Sequence, residues 1–297
     1  MKKIILDTDI GSDIDDAFAL AYLLSREDIE ILGITTVSGA PELRAQLADN
    51  ICSTYGKKIP VHVGSEKSLS GEIRQPKLTK AQTAVANNNS TTYLKDNTAL
   101  EFMKSVIEMY PNEITLVCMG QLTNVASLFL KYPNTPELLK GMVIMGGRYE
   151  DNEYCDIQKW GETEWNILCD TKAAEVVFKQ KIKNSVVMGV EQTCKFHLPP
   201  QVMKDAFNRV EKFKAVADSI NTNVERVYFH DIITVYAWLY QNEVTTNQGN
   251  IGVVYNDDYV KTELTCARDG AHYLVTDFST EKFFKNYIDT VNLTLDN

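Results

Sequence analysis

The residues with the most chemical potential lie near the start of the chain. The segment Asp7-Thr8-Asp9-Ile10-Gly11-Ser12-Asp13-Ile14-Asp15-Asp16 places five aspartates within ten residues. Carboxylates this close repel and raise one another's pKa values. A hard cation offsets that repulsion: Ca²⁺ takes about six to eight oxygen ligands, whereas Mg²⁺ prefers an octahedron and keeps several waters. The competing reading is a helix N-terminus, where Asp13 or Asp15 would cap the helix and complement its dipole. That reading accounts for one or two of the five. An EF-hand is excluded, because counting from Asp7 puts Ser12 sixth and Phe18 twelfth, where glycine and glutamate are required.

The elements around this segment set its position. Ile4–Leu6 reads as a strand and Asp16–Ser25 as a helix, so the aspartates fall on a strand-to-helix turn. Strand-like runs at Ile29–Val37, Pro60–Gly64, Ile114–Met119, Met142–Met145 and Ser185–Val190 follow. They alternate with helical patterns at Pro41–Thr54, Ala99–Tyr110, Asn124–Lys131 and Lys172–Lys179. This alternation predicts an α/β fold with a mostly parallel, Rossmann-like sheet and helices on both faces. Ligands bind such sheets at the carboxyl ends of the strands, which is where the aspartates lie. Helical patterns continue from Pro200 to about Tyr240. Three closely spaced strand runs (Ile251–Tyr255, Lys261–Cys266 and His272–Phe278) then predict an antiparallel C-terminal extension. Ser65–Thr98 and Arg148–Gly161 break the rhythm and read as long loops, of the kind that are functional lids or disordered segments. With no repeat and no flexible linker, residues 1–297 read as one domain.

Composition narrows the function classes. The 297 residues are 44% hydrophobic and 24% charged, enough for a sizeable core without staples. With 40 acidic and 30 basic residues the formal net charge is −10, which argues against nucleic-acid binding. Cys52, Cys118, Cys155, Cys169, Cys194 and Cys266 form no CxxC pair, so zinc-finger and thioredoxin readings lack their signature. Cys118 and Cys266 lie in apolar runs and read as reduced core thiols. The apolar run after Lys2-Lys3 is too short for a signal peptide, and no stretch reaches the roughly 20 residues of a membrane span. The expectation is a cytoplasmic protein without membrane association.

Two families share the opening pattern. A strand followed by Asp-x-Asp resembles the haloacid dehalogenase-like phosphatases, which implies Asp7 as nucleophile, Asp9 as acid/base and Asn256-Asp257-Asp258 as a late acidic pair. Asp7-Thr8-Asp9-Ile10-Gly11 with Asp15-Asp16-Ala17 resembles the calcium-dependent nucleoside hydrolases, whose usual opening is Asp-x-Asp-Pro-Gly-x-Asp-Asp-Ala. Four later segments resemble the second family in the same order: Ile34-Thr35-Thr36-Val37-Ser38-Gly39; Gly120-Gln121-Leu122-Thr123-Asn124 followed by Met145-Gly146-Gly147; Glu164-Trp165-Asn166; and His230-Asp231. The phosphatase pattern explains none of these. Each also has a local explanation: Thr123-Asn124 and His230-Asp231 as helix caps, Gly146-Gly147 as a turn, Trp165 as packing.

The nucleoside hydrolase resemblance implies hydrolysis of a ribonucleoside N-glycosidic bond by a cation-activated water. It implies Ca²⁺ on Asp9, Asp16, Asp231 and the Thr123 carbonyl, Asp9 as general base and His230 as the acid for the departing base. It further implies that Asp15, Glu164 and Asn166 bind the ribose hydroxyls, that Trp165 lines the base pocket, and that the protein is a homodimer or homotetramer. The chain departs from the family at Gly39-Ala40, where the family has Gly-Asn, and lacks the His-Gly-x-x-Gly segment in Ser65–Thr98. Gln158 stands for an upstream ribose-contacting asparagine. An altered substrate preference or weak activity on common nucleosides follows, with a noncatalytic ribosyl-binding protein as a further alternative.

Overall fold

Apolar residues alternate along the first strand, β1 (Lys2–Thr8). Ile4 and Leu6 enter the core on one face of the sheet and Ile5 enters the core on the other. The same alternation recurs in β4 (Ile114–Cys118), where Val117 faces one core and Leu116 and Cys118 the other. A strand buried on both faces must be covered by helices on both. The computed structural model, which describes residues 1–87, 98–150, 163–255 and 259–295, has that arrangement.

The nine-stranded sheet has the order β10-β9-β11-β6-β5-β4-β1-β2-β3. Its remaining strands are β2 (Ile29–Thr36), β3 (Val61–Val63), β5 (Gly141–Met145), β6 (Ser185–Met188), β9 (Val244–Tyr255), β10 (Val260–Cys266) and β11 (His272–Phe278), while β7 (His197–Leu198) and β8 (Val227–Tyr228) pair in a separate two-stranded sheet. Strands β1 to β6 pair in parallel, and β11 joins β6 in parallel. The order reverses at β1, which pairs with β2 on one side and β4 on the other. Helices leaving the two strands diverge there and open a crevice at their carboxyl ends. The aspartate segment begins in that crevice.

The C-terminal extension is antiparallel as expected, but β9 is longer than Ile251–Tyr255 and begins at Val244. Its polar first half, Val244-Thr245-Thr246-Asn247-Gln248, carries little apolar signal, yet it pairs antiparallel with β11 while its second half pairs with β10. Cys266 is a correction: it ends β10, the outer strand of the sheet, and is exposed, whereas Cys118 is buried in the sheet. Cys155 and Gln158, the Asn256-Asp257-Asp258 run, residues 88–97 of the first long loop and residues 151–161 of the second lie outside the described residues. No helix among the described residues is long and apolar enough to cross a membrane.

Two helices matter most for the site. The helix Asp15–Leu24 follows the aspartates, and the helix His230–Leu239 begins with the His-Asp pair. Phe18, from the first, packs its ring 5.1 Å from Phe229, just before the second, and 5.4 Å from Phe207. All three rings are fully buried. This cluster locks the two helix N-termini side by side. Phe18→Ala is expected to lower unfolding stability in urea by about 3–5 kcal/mol, the usual cost of an aromatic-sized cavity. A loss under about 1 kcal/mol would show that the cluster does not hold the helices.

Candidate active site

The acidic turn is shaped by backbone contacts before its side chains act. Gly120, just past β4, lies against Asp9: a Cβ there would stand 2.8 Å from Asp9 Oδ1 and 2.9 Å from the Asp9 nitrogen. Only glycine allows that approach. Gly147 has a φ of 89°, which favours glycine, and its N–H donates to Glu164 Oε2 at 3.1 Å. The Gly-Gly turn therefore also positions a carboxylate.

A pocket of about 900 Å³ opens over these strand ends. It is lined by Asp9, Asp13, Asp15, Asp16, Glu164, Trp165, Asn166, His230 and Asp231, with Gln75 among them. Eight of the nine residues singled out from the sequence are thus brought together. Thr123 is the exception: it is buried and off the lining, with its hydroxyl donating to Asp170 Oδ2 at 2.6 Å and accepting from Gln121 Nε2 at 2.8 Å. The capping explanations do not hold. No side chain caps the helices starting at Asp15, Thr123 or His230. Asn124 instead reaches from its helix to Asp7 Oδ1 at 2.8 Å and the Thr36 carbonyl at 3.0 Å, and it accepts from the Ser65 N–H.

Asp7 does not line the pocket. It is fully buried, accepts from Thr35 and Asn124 through Oδ1, and has no hydrogen bond at Oδ2. A nucleophile must reach its substrate, so the phosphatase reading loses its central residue.

The facing carboxylates are strongly coupled. Oxygens of Asp13, Asp15 and Asp16 lie within 4.8 Å of one another. Burial first, and then the neighbouring charges, push Asp9 up to about 6 and hold Asp16 and Asp231 well above the carboxylate range. Burial of the carboxyl, the Asp15 charge and then the Asp13–Asp15 hydrogen bond hold Asp13 well above the carboxylate range, while the same hydrogen bond counters the burial that lifts Asp15 to about 6. Thr8 Oγ1 donates to Asp16 Oδ1, and the Asp231 N–H points to Asp15 Oδ2 at 3.4 Å.

The cation nearest this cluster was missed by sequence reasoning. Arg44 is fully buried in the helix Pro41–Thr54. Its guanidinium donates to carbonyls of Asp9, Ile10, Ser38, Gly39 and Gln75 and to Ser12 Oγ. It thereby ties the ends of β1 and β2 to the loop after β3, while its charge favours ionised Asp9 and Asp16. Its position on the apolar stripe with Leu47, Ala48 and Ile51 was the available signal. Gln75 was also missed, because it lies in the polar stretch that carried no pattern. Its Nε2 donates to Asp9 Oδ2 at 2.9 Å, and its Oε1 accepts from Trp165 Nε1.

The opposite wall comes from one short helix, Trp165–Cys169, capped by Glu164. Glu164 accepts from the Asn166, Ile167 and Gly147 N–H groups, yet burial still lifts it to about 7. Asn166 Nδ2 donates to the carbonyls of Met119 and Met145, joining the ends of β4 and β5. Trp165 is 49% exposed, which fits a pocket wall and not core packing. His230 Nδ1 lies 2.7 Å from Thr193 Oγ1, and its ring stacks on Tyr228 at 5.1 Å. Burial pushes His230 down to about 4, so its ring is neutral at pH 7.

Residues 4–285 match the sequence pattern of a family described as inosine-uridine preferring nucleoside hydrolase. The chain belongs to this nucleoside hydrolase family. An inosine-uridine preferring nucleoside hydrolase of Leishmania major is 31% identical over 213 residues, covering 68% of this chain and 65% of the relative. Uridine nucleosidase 1 of Arabidopsis thaliana is 28% identical over 269 residues, covering 85% of this chain and 78% of the relative. A purine-preferring ribonucleoside hydrolase of Gardnerella vaginalis shares the fold, with a TM-score of 0.81 at 19% identity over 98% of each chain.

For this nucleoside hydrolase family member, the raised carboxylates set a pH dependence of stability. A carboxylate whose folded pKa exceeds its unfolded value binds more protons when folded, so stability falls as pH rises from about 4 through the folded pKa. Asp7 at about 7 and Asp9 and Asp15 at about 6 place that loss between about pH 4 and 7. In EDTA, the melting temperature is expected to be higher at pH 5.5 than at pH 8. A divalent cation at saturation should remove much of that slope. A flat or rising profile in EDTA would contradict the assigned shifts.

Proposed function

We propose that the protein hydrolyses the N-glycosidic bond of a ribonucleoside, releasing ribose and free base. The observation that carries this reading is the meeting of Asp9, Asp15, Asp16, Glu164, Asn166, His230 and Asp231 in one pocket, in a chain of the nucleoside hydrolase family.

The donor set suits a hard divalent cation. Every candidate ligand is oxygen, several carboxylates share one pocket, and their mutual repulsion is relieved by a cation more fully than by Arg44. We assign Ca²⁺ to Asp9, Asp16 and Asp231, with Thr123 entering the set only through its backbone carbonyl. Asp13 and Asp15 extend the acidic cluster beside Asp16. Bound there, the cation would lower the pKa of a water and orient it.

The remaining work falls to the chain's own groups. Asp9, held by Gln75, takes a proton from the attacking water. The water oxygen bonds to C1′ of the ribose, the C1′–N bond breaks, and its electron pair leaves with the base. Asp15, Glu164 and Asn166 bind the ribose hydroxyls. A sugar lacking a hydroxyl would leave these buried groups unpaired, so ribose is favoured over deoxyribose. His230 supplies the proton to the departing base. Its ring is neutral at rest, so it takes up a proton from solvent as negative charge develops on the departing base and passes that proton to the base nitrogen as the bond breaks. Trp165 offers an aromatic face to the base. We read the protein as a cytoplasmic homodimer or homotetramer.

The test is ribose release from a nucleoside panel with Ca²⁺ and with excess EDTA. EDTA-sensitive release is expected, and Asp9→Ala or Asp231→Ala should abolish it. Unchanged turnover in both variants would overturn the metal assignment. His230→Ala should cost most with poor leaving bases. Equal losses across good and poor leaving groups would remove its role as acid.

A further inference from the structure

The pocket is polarised in a way that a neutral nucleoside does not require. Its floor carries the aspartates, and its wall also carries three cations, Arg74, Lys77 and Arg148. They come from two separate segments: Arg74 and Lys77 flank Gln75 on the loop after β3, and Arg148 follows the turn after β5. In a chain with a net charge of −10, such a convergence is not background.

These cations are not the counter-ions of the floor. The charges that act most on Asp9, Asp13, Asp15, Asp16 and Asp231 are those of one another, of Arg44 and of His230. Nor are Arg74 and Lys77 fully neutralised locally. Arg74 pairs with exposed Glu72 at 2.9 Å, and Lys77 has no hydrogen bond, ion pair or ring contact among the described residues. Arg148 is only 5% exposed, and its backbone N–H and carbonyl are both held at 2.8 Å by Thr262 Oγ1, so the strand β10 fixes where it stands.

We propose that the substrate is an anionic ribosyl N-glycoside, whose phosphate or carboxylate is bound by Arg74, Lys77 and Arg148 while its ribose occupies the acidic floor. This rests on the hydrolase reading above. Guanidinium forks match both anions in a two-point geometry, and Lys77 adds a point charge.

The test uses the full chain with Ca²⁺ and three ligands: uridine, uridine 5′-monophosphate, and orotidine, which is uridine with a carboxylate on its base. An anionic ligand is expected to exceed uridine in kcat/KM by about tenfold or more, as charged hydrogen bonds allow. Lys77→Glu or Arg74→Glu should cut the anionic-to-neutral ratio about tenfold. Response in the monophosphate arm identifies phosphate as the anion, and response in the orotidine arm identifies carboxylate. Uridine hydrolysed as well as both anionic ligands, or a ratio unmoved by both substitutions, overturns the inference and leaves the hydrolase reading intact. Calorimetric titration of the same ligands reads the preference without turnover. Tighter binding of an anionic ligand with no cleavage of any would uphold the anion site alone and overturn both the hydrolase reading and the ligand's role as substrate. Absence of both binding and cleavage would overturn both.

Discussion

The repulsion among the pocket's carboxylates is the constraint on which the rest of the structure depends. Burying them together disfavours their ionised forms, and each ionised neighbour adds to the penalty. The fold offsets this from below and from the side. Arg44 is held inside the helix Pro41–Thr54 and grips backbone carbonyls from three loops without forming a direct ion pair with the aspartates. It supplies positive charge near the cluster while leaving the carboxylate oxygens facing the pocket for a ligand.

The opposite wall follows a different rule. Glu164 and Asn166 are fixed mainly by backbone groups: N–H donors surround one and strand-end carbonyls accept from the other. Groups fixed by a sheet's own backbone lose little freedom when a ligand arrives. Gln75 spans the two walls, linking Asp9 on the acidic side to Trp165 on the other. The loop after β3 therefore belongs to the site, although it matches none of the motifs used to recognise it.

Much of this was legible in the sequence. Strand and helix alternation pointed to the parallel sheet, because Ile4-Ile5-Leu6 in β1 and Leu116-Val117-Cys118 in β4 run apolar without a break, as strands buried on both faces do. The acidic turn, Glu164-Trp165-Asn166 and His230-Asp231 stood out because their residue types are unusual together. The first half of β9 was hidden, since a strand in the mixed part of the sheet tolerates Thr, Asn and Gln at exposed positions. Arg44 is an ordinary residue for a helix, and only its place on the buried stripe with Leu47, Ala48 and Ile51 marked it. Gln75, Arg74 and Lys77 were hidden because a loop has no periodicity to betray which side chains turn inward. Cys266 shows the converse error: apolar neighbours in a strand do not bury a residue at the end of an outer strand.

The contact between the Asp231 N–H and Asp15 joins positions 216 residues apart. Closing so long a loop is slow and entropically costly, and contacts of this separation form late in folding. The acidic turn can be extruded, and its strand paired with β2, long before the helix His230–Leu239 exists to complete it. During synthesis the nascent chain thus carries a highly charged half-site without its partner. Assembly of the whole pocket marks the arrival of the C-terminal third, and any ligand that needs both halves stabilises only chains that have finished folding.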